Sequence, residues 1–435
     1  MGDLIDFINR HAWVILVFFI ALFAITYGIS RSMDIDRTQN DNSKEEMADR
    51  EQQEEDIEDS STKEAFDEGA GKETTEPEPT PVPQEKGVIY QDAKKKNVIT
   101  LRFGGDINLG DKSSVVQFAA SQKNGITDSF GKKLKVLMET ADIMMLNHEY
   151  ACSNTGEPAA GKTDTFLAKD KNNKALKKLG VDIVSLANHH VYDYGKKAFR
   201  NTLKSLEKRD IAYVGAGKDE KEAAKPVYYN INGVKLAFVS ATCAEENVTP
   251  SPAGADAPGV FYTDDDTEFL KVIRKAKKKS DYVIAYVHWG KEYSTRLETE
   301  QTTRTHGYID AGADLVVGSH SHLLQGMEYY KGKPVIYNLG NYLFDDQTLD
   351  TGLLEVKIAT AGRKDTAVKK NGAKVKYGGV KNKNVTVKFY PCIQAGNRTV
   401  LPPLEEQAEQ ILQKVADISV NTRFTKKGIL KKTDE

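Results

Sequence analysis

The sequence is poor in cysteine, and this scarcity excludes two kinds of architecture. Its 435 residues include three cysteines, Cys152, Cys243 and Cys392, which lie far apart and form no CxxC pair. They give no disulfide framework and no thiolate zinc site. The cysteines also carry no information about the compartment in which the protein works. The chain contains no visible internal repeat.

Long apolar runs are also scarce, and the clear one lies near the N-terminus. Residues 12–29 carry no charge, which approaches the roughly 20 residues that a membrane-spanning helix needs. Trp13 and Tyr27 lie near the two ends of this run, where aromatic rings favour the membrane interface. A cleaved signal peptide is the alternative, but its basic n-region and small-residue cleavage site are missing. We therefore expect a short cytoplasmic N-terminus at 1–11 and a transmembrane signal anchor at 12–30.

Charge is distributed unevenly along a chain whose formal net charge is only −2. Between Asp34 and Lys86 there are 19 acidic and 6 basic residues, a balance of −13, which leaves 55 basic and 44 acidic residues elsewhere, a balance of +11. A segment so charged and rich in proline cannot bury enough apolar surface to fold. We expect an acidic, disordered stalk at 31–96. The basic remainder could attract a polyanion, although scattered surface lysines are the commoner explanation.

Beyond the stalk, short apolar runs alternate with amphipathic segments, as in βαβ units with buried strands. The spacing predicts helices over 194–209, 269–279 and 299–311, and Asn232-Gly233 predicts a two-residue hairpin turn. The pattern is that of one α/β domain with mixed β-sheets. We place this domain at 97–420 and a basic C-terminal tail at 421–435.

Polar clusters follow five of the predicted strands, where ligands bind in an open α/β sheet. The clusters are Gly105-Asp106-Ile107-Asn108, Asn147-His148-Glu149, Asn188-His189-His190, His288-Trp289-Gly290 and Ser319-His320-Ser321-His322. Singly, each has a structural explanation: Asp106 could hold a turn, Asn188 could cap a helix, and His288 could be a core histidine. Together, these carboxylate, amide and imidazole groups suit a pair of divalent ions.

The Ser-His-Ser-His segment is the most unusual of the five clusters. If the run is extended, its period of two puts the rings of His320 and His322 on one face. Two imidazoles on one face are a common arrangement for metal binding.

In this order, the motifs resemble the dinuclear metallophosphoesterase (calcineurin-like) arrangement and, more closely, the CapA/PgsA family of poly-γ-glutamate capsule proteins. The segments are GGDINLG, ADIMMLNHEYA, SLANHHVYDYG, VHWGKEY, GADLVVGSHSHLLQGMEYY and VIYNLGNYLFD, within about residues 98–346. The resemblance implies a metallophosphoesterase-like sandwich of mixed β-sheets flanked by helices, preceded by one transmembrane helix.

The resemblance also implies a set of site residues and one or two divalent ions (Mn, Zn, Fe or Mg). The resemblance assigns Asp106, Glu149 and His322 to one ion and Glu149, Asn188, His288 and His320 to the other, with Glu149 bridging the two. Asn108 is a further candidate metal ligand. His189 matches the histidine that protonates a leaving group in the hydrolases. Asn108 stands where those hydrolases have a histidine, which weakens the first site.

Two functional hypotheses follow from the resemblance. The preferred one is a single-pass cell-membrane protein whose extracytoplasmic domain acts in biosynthesis or export of poly-γ-glutamate or a similar anionic polymer. Its partners would be the polymer, membrane-embedded synthase subunits and the lipid bilayer, with no nucleic acid. The alternative is a metal-dependent phosphoesterase acting on a cell-envelope or nucleotide phosphoester. Whether the domain is an enzyme stays open, as does a surface module that has lost both metal and chemistry.

Overall fold

The structure is a computed structural model that describes residues 84–244, 251–361 and 379–433. The predicted cytoplasmic N-terminus, the signal anchor at 12–30 and most of the predicted stalk lie outside these residues. Within the described ranges, no helix combines the length and apolar character needed to cross a bilayer.

Strands account for most of the regular structure in the described residues. They are β1 Val88–Gln91, β2 Val98–Ile107, β3 Ile143–His148, β4 Ala151–Cys152, β5 Leu167–Ala168, β6 Ile183–Ser185, β7 Ala212–Val214, β8 Ala216–Gly217, β9 Val227–Ile231, β10 Val234–Ala244, β11 Gly259–Val260, β12 Tyr282–Gly290, β13 Leu315–His320, β14 Met327–Tyr330, β15 Lys333–Ile336, β16 Asn341–Leu343, β17 Leu349–Ala359, β18 Val385–Ala395, β19 Arg398–Val400, β20 Thr422–Phe424 and β21 Leu430–Lys432. The α-helices are α1 Ser114–Ala120, α2 Lys132–Glu139, α3 Lys174–Lys178, α4 Gly195–Glu207, α5 Glu220–Ala223, α6 Thr267–Lys277, α7 Thr299–Ala311 and α8 Glu405–Asp417. Short 3-10 helices cover Gly125–Ser129, Asp170–Asn173 and Asn382–Asn384.

Two mixed sheets dominate the described part of the chain. One has seven strands in the order β1-β9-β10-β12-β13-β15-β14, and the other has eight, β19-β18-β17-β2-β3-β6-β7 with β16 beside β2. Strands β2, β3, β6 and β7 run parallel, as do β10, β12 and β13. The predicted hairpin at Asn232-Gly233 is confirmed, because both residues have positive φ between β9 and β10.

The sheets pack face to face and carry helices on their outer faces. Phe103 of β2, Phe238 of β10 and Ile284 of β12 lie in the apolar layer between them. Burying one such side chain contributes about 1.5–3 kcal/mol. A second cluster packs α2, α3 and α4 against the eight-stranded sheet, and a third packs α6 and α7 against the seven-stranded sheet. The predicted sandwich of mixed β-sheets flanked by helices is confirmed.

Helix α7 shows how local sequence sets an element's ends. Glu298 and Gln301 form a capping box at its start, which satisfies otherwise unpaired backbone N–H groups. Gly312, with a φ of 120°, ends it. The predicted range 299–311 is therefore confirmed, whereas the helices predicted over 269–279 and 194–209 occupy Thr267–Lys277 and Gly195–Glu207.

The folded unit starts earlier than the predicted boundary at residue 97. Strand β1, inside the predicted stalk at 31–96, pairs in parallel with β9, with Val88 opposite Tyr228. The apolar alternation of this strand is short and follows a proline-rich run, so composition alone assigned it to the stalk. In the predicted tail at 421–435, β20 and β21 form a hairpin, and Leu430 is buried in the core between the sheets.

The carboxyl ends of the parallel strands of both sheets meet at one edge of the sandwich. The Tyr286 hydroxyl donates to the Gly104 carbonyl across the two sheets at 2.9 Å. A Cβ on Gly105 would lie 1.8 Å from the Gly340 carbonyl oxygen, so only glycine fits at this position. That close approach lets the Asp106 N–H donate to the same carbonyl at 3.0 Å and fixes Asp106 at the edge.

Candidate metal centre

The side chain of Asn147 joins groups from both sheets. Asn147 lies opposite Asp106 in the parallel pairing of β2 and β3. Its Nδ2 donates to Asp106 Oδ1 at 2.7 Å and to Glu149 Oε2 at 3.0 Å, and it lies 3.2 Å from His288 Nδ1. All four side chains are buried. The amide therefore sets the orientation of both carboxylates, and it also contacts an imidazole from the other sheet.

Four buried side chains form a group that could hold a metal ion. They are Glu149, His189, His288 and His320, whose candidate ligand atoms all lie within 4.8 Å of one another. Glu149 Oε1 lies 3.6 Å from His288 Nε2 and 4.0 Å from His189 Nδ1. The two imidazole nitrogens lie 3.1 Å apart. Carboxylate and imidazole donors suit zinc and other borderline divalent ions.

The unpartnered atoms in this group support the fit to a cation. Glu149 Oε1 and both ring nitrogens of His320 are buried and have no hydrogen-bond partner. A buried polar atom left unpaired costs about 1–3 kcal/mol, so such atoms ordinarily have a partner. A divalent ion among Glu149, His288 and His320 would be that partner for the carboxylate oxygen and one imidazole nitrogen.

The electrostatics of the group favour uncharged side chains unless a cation is present. Burial raises the pKa of Glu149 well above its ordinary value, and the nearby carboxylate of Asp106 adds to this effect. Burial likewise raises the pKa of Asp106, against the opposing attraction of His322. Burial lowers the pKa of His320 to about 3, with a further contribution from His322. It also lowers the pKa of His288 well below its ordinary value. A bound dication would favour the ionised carboxylates.

The Ser-His-Ser-His segment is not extended throughout, contrary to the geometry on which its interpretation rested. Strand β13 ends at His320, where φ is 99°, and His322 has a φ of 61°. The ring centroids still lie 6.5 Å apart. The chain turns because Asp106 Oδ2 accepts the His320 N–H at 3.1 Å, which holds His320 against the other sheet.

Asp106 and His322, predicted as ligands of the first ion, face each other beside the group of four. His322 Nδ1 lies 4.0 Å from Asp106 Oδ2 and 2.7 Å from Asn341 Oδ1. The Asn341 Nδ2 is buried without a hydrogen-bond partner. These residues border the group but are not part of it, so the geometry supports one ion more directly than two.

The two predicted amide ligands are occupied elsewhere. Asn108 Oδ1 accepts the Gly110 N–H at 2.9 Å, which stabilises the turn after β2. Asn188 Oδ1 accepts the N–H groups of His190 and Val191 at 3.1 and 3.0 Å. Its Nδ2 donates to Asn147 Oδ1 at 3.1 Å. In this conformation neither amide oxygen is directed at the group, because short polar side chains after a strand readily satisfy nearby backbone donors.

His189, predicted as the proton donor, has one nitrogen inside the group and one outside it. Its Nδ1 faces His288 and Glu149, whereas its Nε2 lies 3.7 Å from Glu292 Oε1. The Glu292 side chain is 32% exposed, so this is the more open side of the centre. Burial lowers the pKa of His189 well below its ordinary value, so the ring is neutral at pH 7.

The loop after β6 is held by a second histidine. His190 Nδ1 lies 2.8 Å from Asp193 Oδ2, and Asp193 also accepts the Phe166 N–H at 2.7 Å and pairs with Lys162. His148, interpreted as structural, lies 3.3 Å from Asn173 Oδ1 and stacks on Tyr150, away from Glu149 Oε1.

Three residues that contact the centre had no assigned role from the sequence. Asn147 could have been found from its spacing, because a period of two puts it on the same strand face as Glu149. Asn341 lies in the quoted segment VIYNLGNYLFD, but nothing in that segment shows which asparagine turns inward. Ser319 Oγ lies 3.1 Å from His288 Nδ1, a contact that only the pairing of β12 with β13 reveals.

The Ser319 hydroxyl gives a testable prediction about metal affinity. It can accept a hydrogen bond from His288 Nδ1, which would leave the Nε2 lone pair free to bind a cation. We expect Ser319→Ala to weaken divalent-metal binding about tenfold, because partners of a metal ligand typically contribute roughly 10- to 100-fold. Isothermal titration calorimetry would measure this change. Ser321→Ala is the matched control, since the Ser321 hydroxyl bonds to the Leu323 carbonyl instead. Equal affinities for wild type and Ser319→Ala would contradict the assigned role.

The backbone at His320 gives a prediction about stability. At a φ of 99° a Cβ is strained, whereas glycine adopts this conformation freely. The free energy of unfolding of His320→Gly should therefore exceed that of His320→Ala by about 1 kcal/mol. Both are measured by urea denaturation with chelator present. At Ser319, where φ is not positive, the alanine variant should instead be more stable than the glycine variant. If alanine were the more stable at both positions, the backbone conformation would be wrong.

Comparisons with known proteins place this geometry in a family context. A family model described as "Bacterial capsule synthesis protein PGA_cap" matches residues 100–346, which include every predicted ligand. The capsule biosynthesis protein CapA of Bacillus anthracis is 32% identical over 281 residues, covering 62% of this chain and 66% of that protein. The PGA biosynthesis protein CapA of Bacillus subtilis (strain 168) is 30% identical over 271 residues, covering 61% and 69%. The chain thus matches about two thirds of the length of these relatives.

Two solved structures share a more distant likeness. A Thermus thermophilus protein has a TM-score of 0.33 at 13% identity, covering 61% of this chain and 96% of its own. The 5'-nucleotidase of Candida albicans has a TM-score of 0.34 at 8% identity, covering 69% and 52%. Neither likeness is close enough to assign an activity.

Proposed function

Because this chain belongs to the PGA_cap family of bacterial capsule synthesis proteins, we propose that it acts in the biosynthesis or export of poly-γ-glutamate or a similar anionic polymer. In this proposal the apolar run at 12–29 anchors the chain in the cell membrane, and the folded domain lies outside. Membrane-embedded synthase subunits would deliver the polymer to it.

One observation carries the metal-dependent part of the proposal. It is the unpartnered Glu149 Oε1 among three buried imidazoles, within the segment that matches the family. A dication held there would supply a strong charge for a polymer carboxylate. Glu149, His288 and His320 would hold the ion, while Asn147 keeps the carboxylate of Glu149 in position.

A metal-dependent phosphoesterase is the second candidate, and the position of His189 favours it. A bound dication would polarise a phosphoryl group and lower the pKa of a bound water. If a bound cation occupies the side of Nδ1, the ring would carry its proton at Nε2, which lies 3.7 Å from Oε1 of the partly exposed Glu292. A neutral imidazole N–H in that position could protonate a leaving oxygen.

Binding and turnover assays on the full-length chain in detergent would separate the two candidates. We expect the manganese-loaded chain to bind poly-γ-glutamate at low salt and to bind it about tenfold more weakly after chelation. His288→Ala should behave like the chelated protein. His306→Ala is the matched control, because His306 stacks on Tyr330 away from the centre.

Each result decides between the candidates. Failure of the metal-loaded chain to bind the polymer would overturn the capsule proposal. Hydrolysis of phosphomonoesters or phosphodiesters that is lost in His189→Gln would establish the phosphoesterase instead. Metal-loaded protein with no turnover would exclude it.

A further inference from the structure

Two adjoining cavities lie beside the metal centre on the helical face of the eight-stranded sheet. One, of about 390 Å³, is lined by residues of the turn after β2 and of the segment before β5. The other, of about 370 Å³, is lined by α1, the 3-10 helix Asp170–Asn173 and α3. Asp111 lines both, so the two cavities adjoin at this residue.

The first cavity borders the metal centre. Asn108 and Phe166 form part of its wall. The Phe166 ring centroid lies 4.2 Å from that of His190, which in turn lies 4.0 Å from that of His189. Two rings, those of Phe166 and His190, therefore lie between this cavity and His189.

The second cavity has a basic rim. Its lining includes Lys169, Lys171, Lys174 and Lys178, all exposed, and one carboxylate, that of Asp111. The Asp111 carboxylate accepts hydrogen bonds from the Asn172 amide at 3.1 Å and the Lys169 backbone N–H at 3.2 Å, and the Lys169 ammonium lies 3.6 Å from it. The remaining ammonium groups face the cavity without an acidic partner among its lining residues.

The floor of the same cavity is apolar. Val116, Ala119, Ile126 and Ala175 belong to its lining, and they are buried or half-buried where the lysines are exposed. A polymer with methylene groups in its backbone and one carboxylate per repeat matches this arrangement, because the methylenes can pack on the floor while the carboxylates reach the rim. Arginine, which recognises phosphate through paired N–H groups, is absent from the lining as the structure describes it.

We propose that the two cavities form a binding track for a linear polycarboxylate, which runs from the lysine rim to the side of the metal centre formed by Phe166 and His190. The proposal rests on the proposed function in capsule polymer handling and names the surface that the polymer occupies. The polymer would lie along the rim, with Phe166 and His190 between it and His189. The lysines act as binding residues only.

The test compares two fourfold variants of the full-length chain in detergent. The track variant carries Lys169→Gln, Lys171→Gln, Lys174→Gln and Lys178→Gln. The control variant carries Arg274→Gln, Lys275→Gln, Lys278→Gln and Lys279→Gln. Both lose four positive charges from exposed positions, but the control set lies on α6 and the residues after it, which pack on the other sheet. Equilibrium binding to poly-γ-glutamate is measured against salt concentration, with metal content and melting temperature followed for each protein.

We expect the track variant to bind the polymer about tenfold more weakly at low salt, because it loses the exposed charge contacts of Lys171, Lys174 and Lys178 and the ammonium that pairs with Asp111. The polymer affinity of the track variant should also fall less steeply with salt concentration than that of the wild type. The control variant should bind like wild type, and both variants should retain the metal. If wild type binds and the track variant binds equally well, or if the control weakens as much, the track is wrong while the proposed function stands. If wild type does not bind, the proposed function fails and the track with it. If polyphosphate competes as strongly as poly-γ-glutamate, the assignment to a polycarboxylate is overturned.

Discussion

Replacing Glu149 with glutamine is expected to weaken divalent-metal binding about a hundredfold while the fold is retained. Glutamine keeps the shape of the side chain but removes the negative charge and turns one oxygen into a donor. Metal binding to four-ligand zinc sites is worth about 10–16 kcal/mol, so one donor of four contributes about 3 kcal/mol. Calorimetric titration of the full-length chain with zinc or manganese measures the loss.

The fold should survive this substitution because a charged carboxylate at this buried position destabilises the metal-free protein. Burial raises the pKa of Glu149, so ionising it inside the protein requires a compensating charge. With chelator present, Glu149→Gln should therefore melt no lower than wild type. Glu328→Gln is the matched control, since Glu328 is also buried but bonds to His306 and Tyr337. If Glu149→Gln bound metal as wild type does, Glu149 would not be a ligand.

Metal binding is expected to release protons and to strengthen as the pH rises from the ordinary pKa of the carboxyl groups towards their raised pKa values. The carboxyl groups of Asp106 and Glu149 have raised pKa values, so between their ordinary values and the raised ones they hold protons that a cation must displace. The affinity should then stop rising above the raised pKa. The imidazoles do not compete in this range, because the pKa of His320 is about 3 and those of His189 and His288 are lowered well below their ordinary values.

Calorimetry in buffers of different ionisation enthalpy counts the released protons directly. The Glu328→Gln variant should release the same number as wild type, because it removes a carboxyl group away from the centre. A flat affinity between about pH 5 and pH 8 with no proton release would show that both carboxylates are already ionised before metal binds.

In the metal-free protein, these pKa shifts make the stability contributions of the imidazole and carboxyl groups change with pH in opposite directions. The pKa of His320 is lowered on folding, so its contribution to stability is present above pH 6.5 and is lost as the pH falls towards about 3. The pKa of Glu149 is raised, so its contribution is present below its ordinary value and is lost as the pH rises. Bound metal should reverse the second effect.

The sequence predicted the site's location better than its detailed contacts. The gathering of Asp106, Glu149, His288 and His320 at one edge follows from parallel strands that end in polar residues, a rule that depends on topology alone. What each polar group does after its strand depends on a few backbone angles. The chain turns at His320, and Asn188 satisfies two backbone N–H groups, so His189 joins the group in its place.

Contacts between neighbouring strands and between the two sheets were the other features that the sequence could not give. Ser319 meets His288 only because β12 and β13 are neighbours in register, and Asn147 reaches His288 only because the two sheets face each other. Strand β1 was assigned to the stalk because it is only four residues long and follows a proline-rich run, and it owes its place in the fold to its pairing with β9. Both cases are tertiary effects that no local pattern records.

Locating a bound ion by anomalous diffraction tests the metal centre most directly. Crystals of the full-length chain grown with zinc or manganese would be measured at an energy where the metal scatters anomalously. We predict a peak about 2.0–2.3 Å from Glu149 Oε1 and from a ring nitrogen of His320, with His288 completing the contacts. Metal bound only at other positions, or no peak at this edge of the sandwich, would contradict the assignment of these residues as a metal centre.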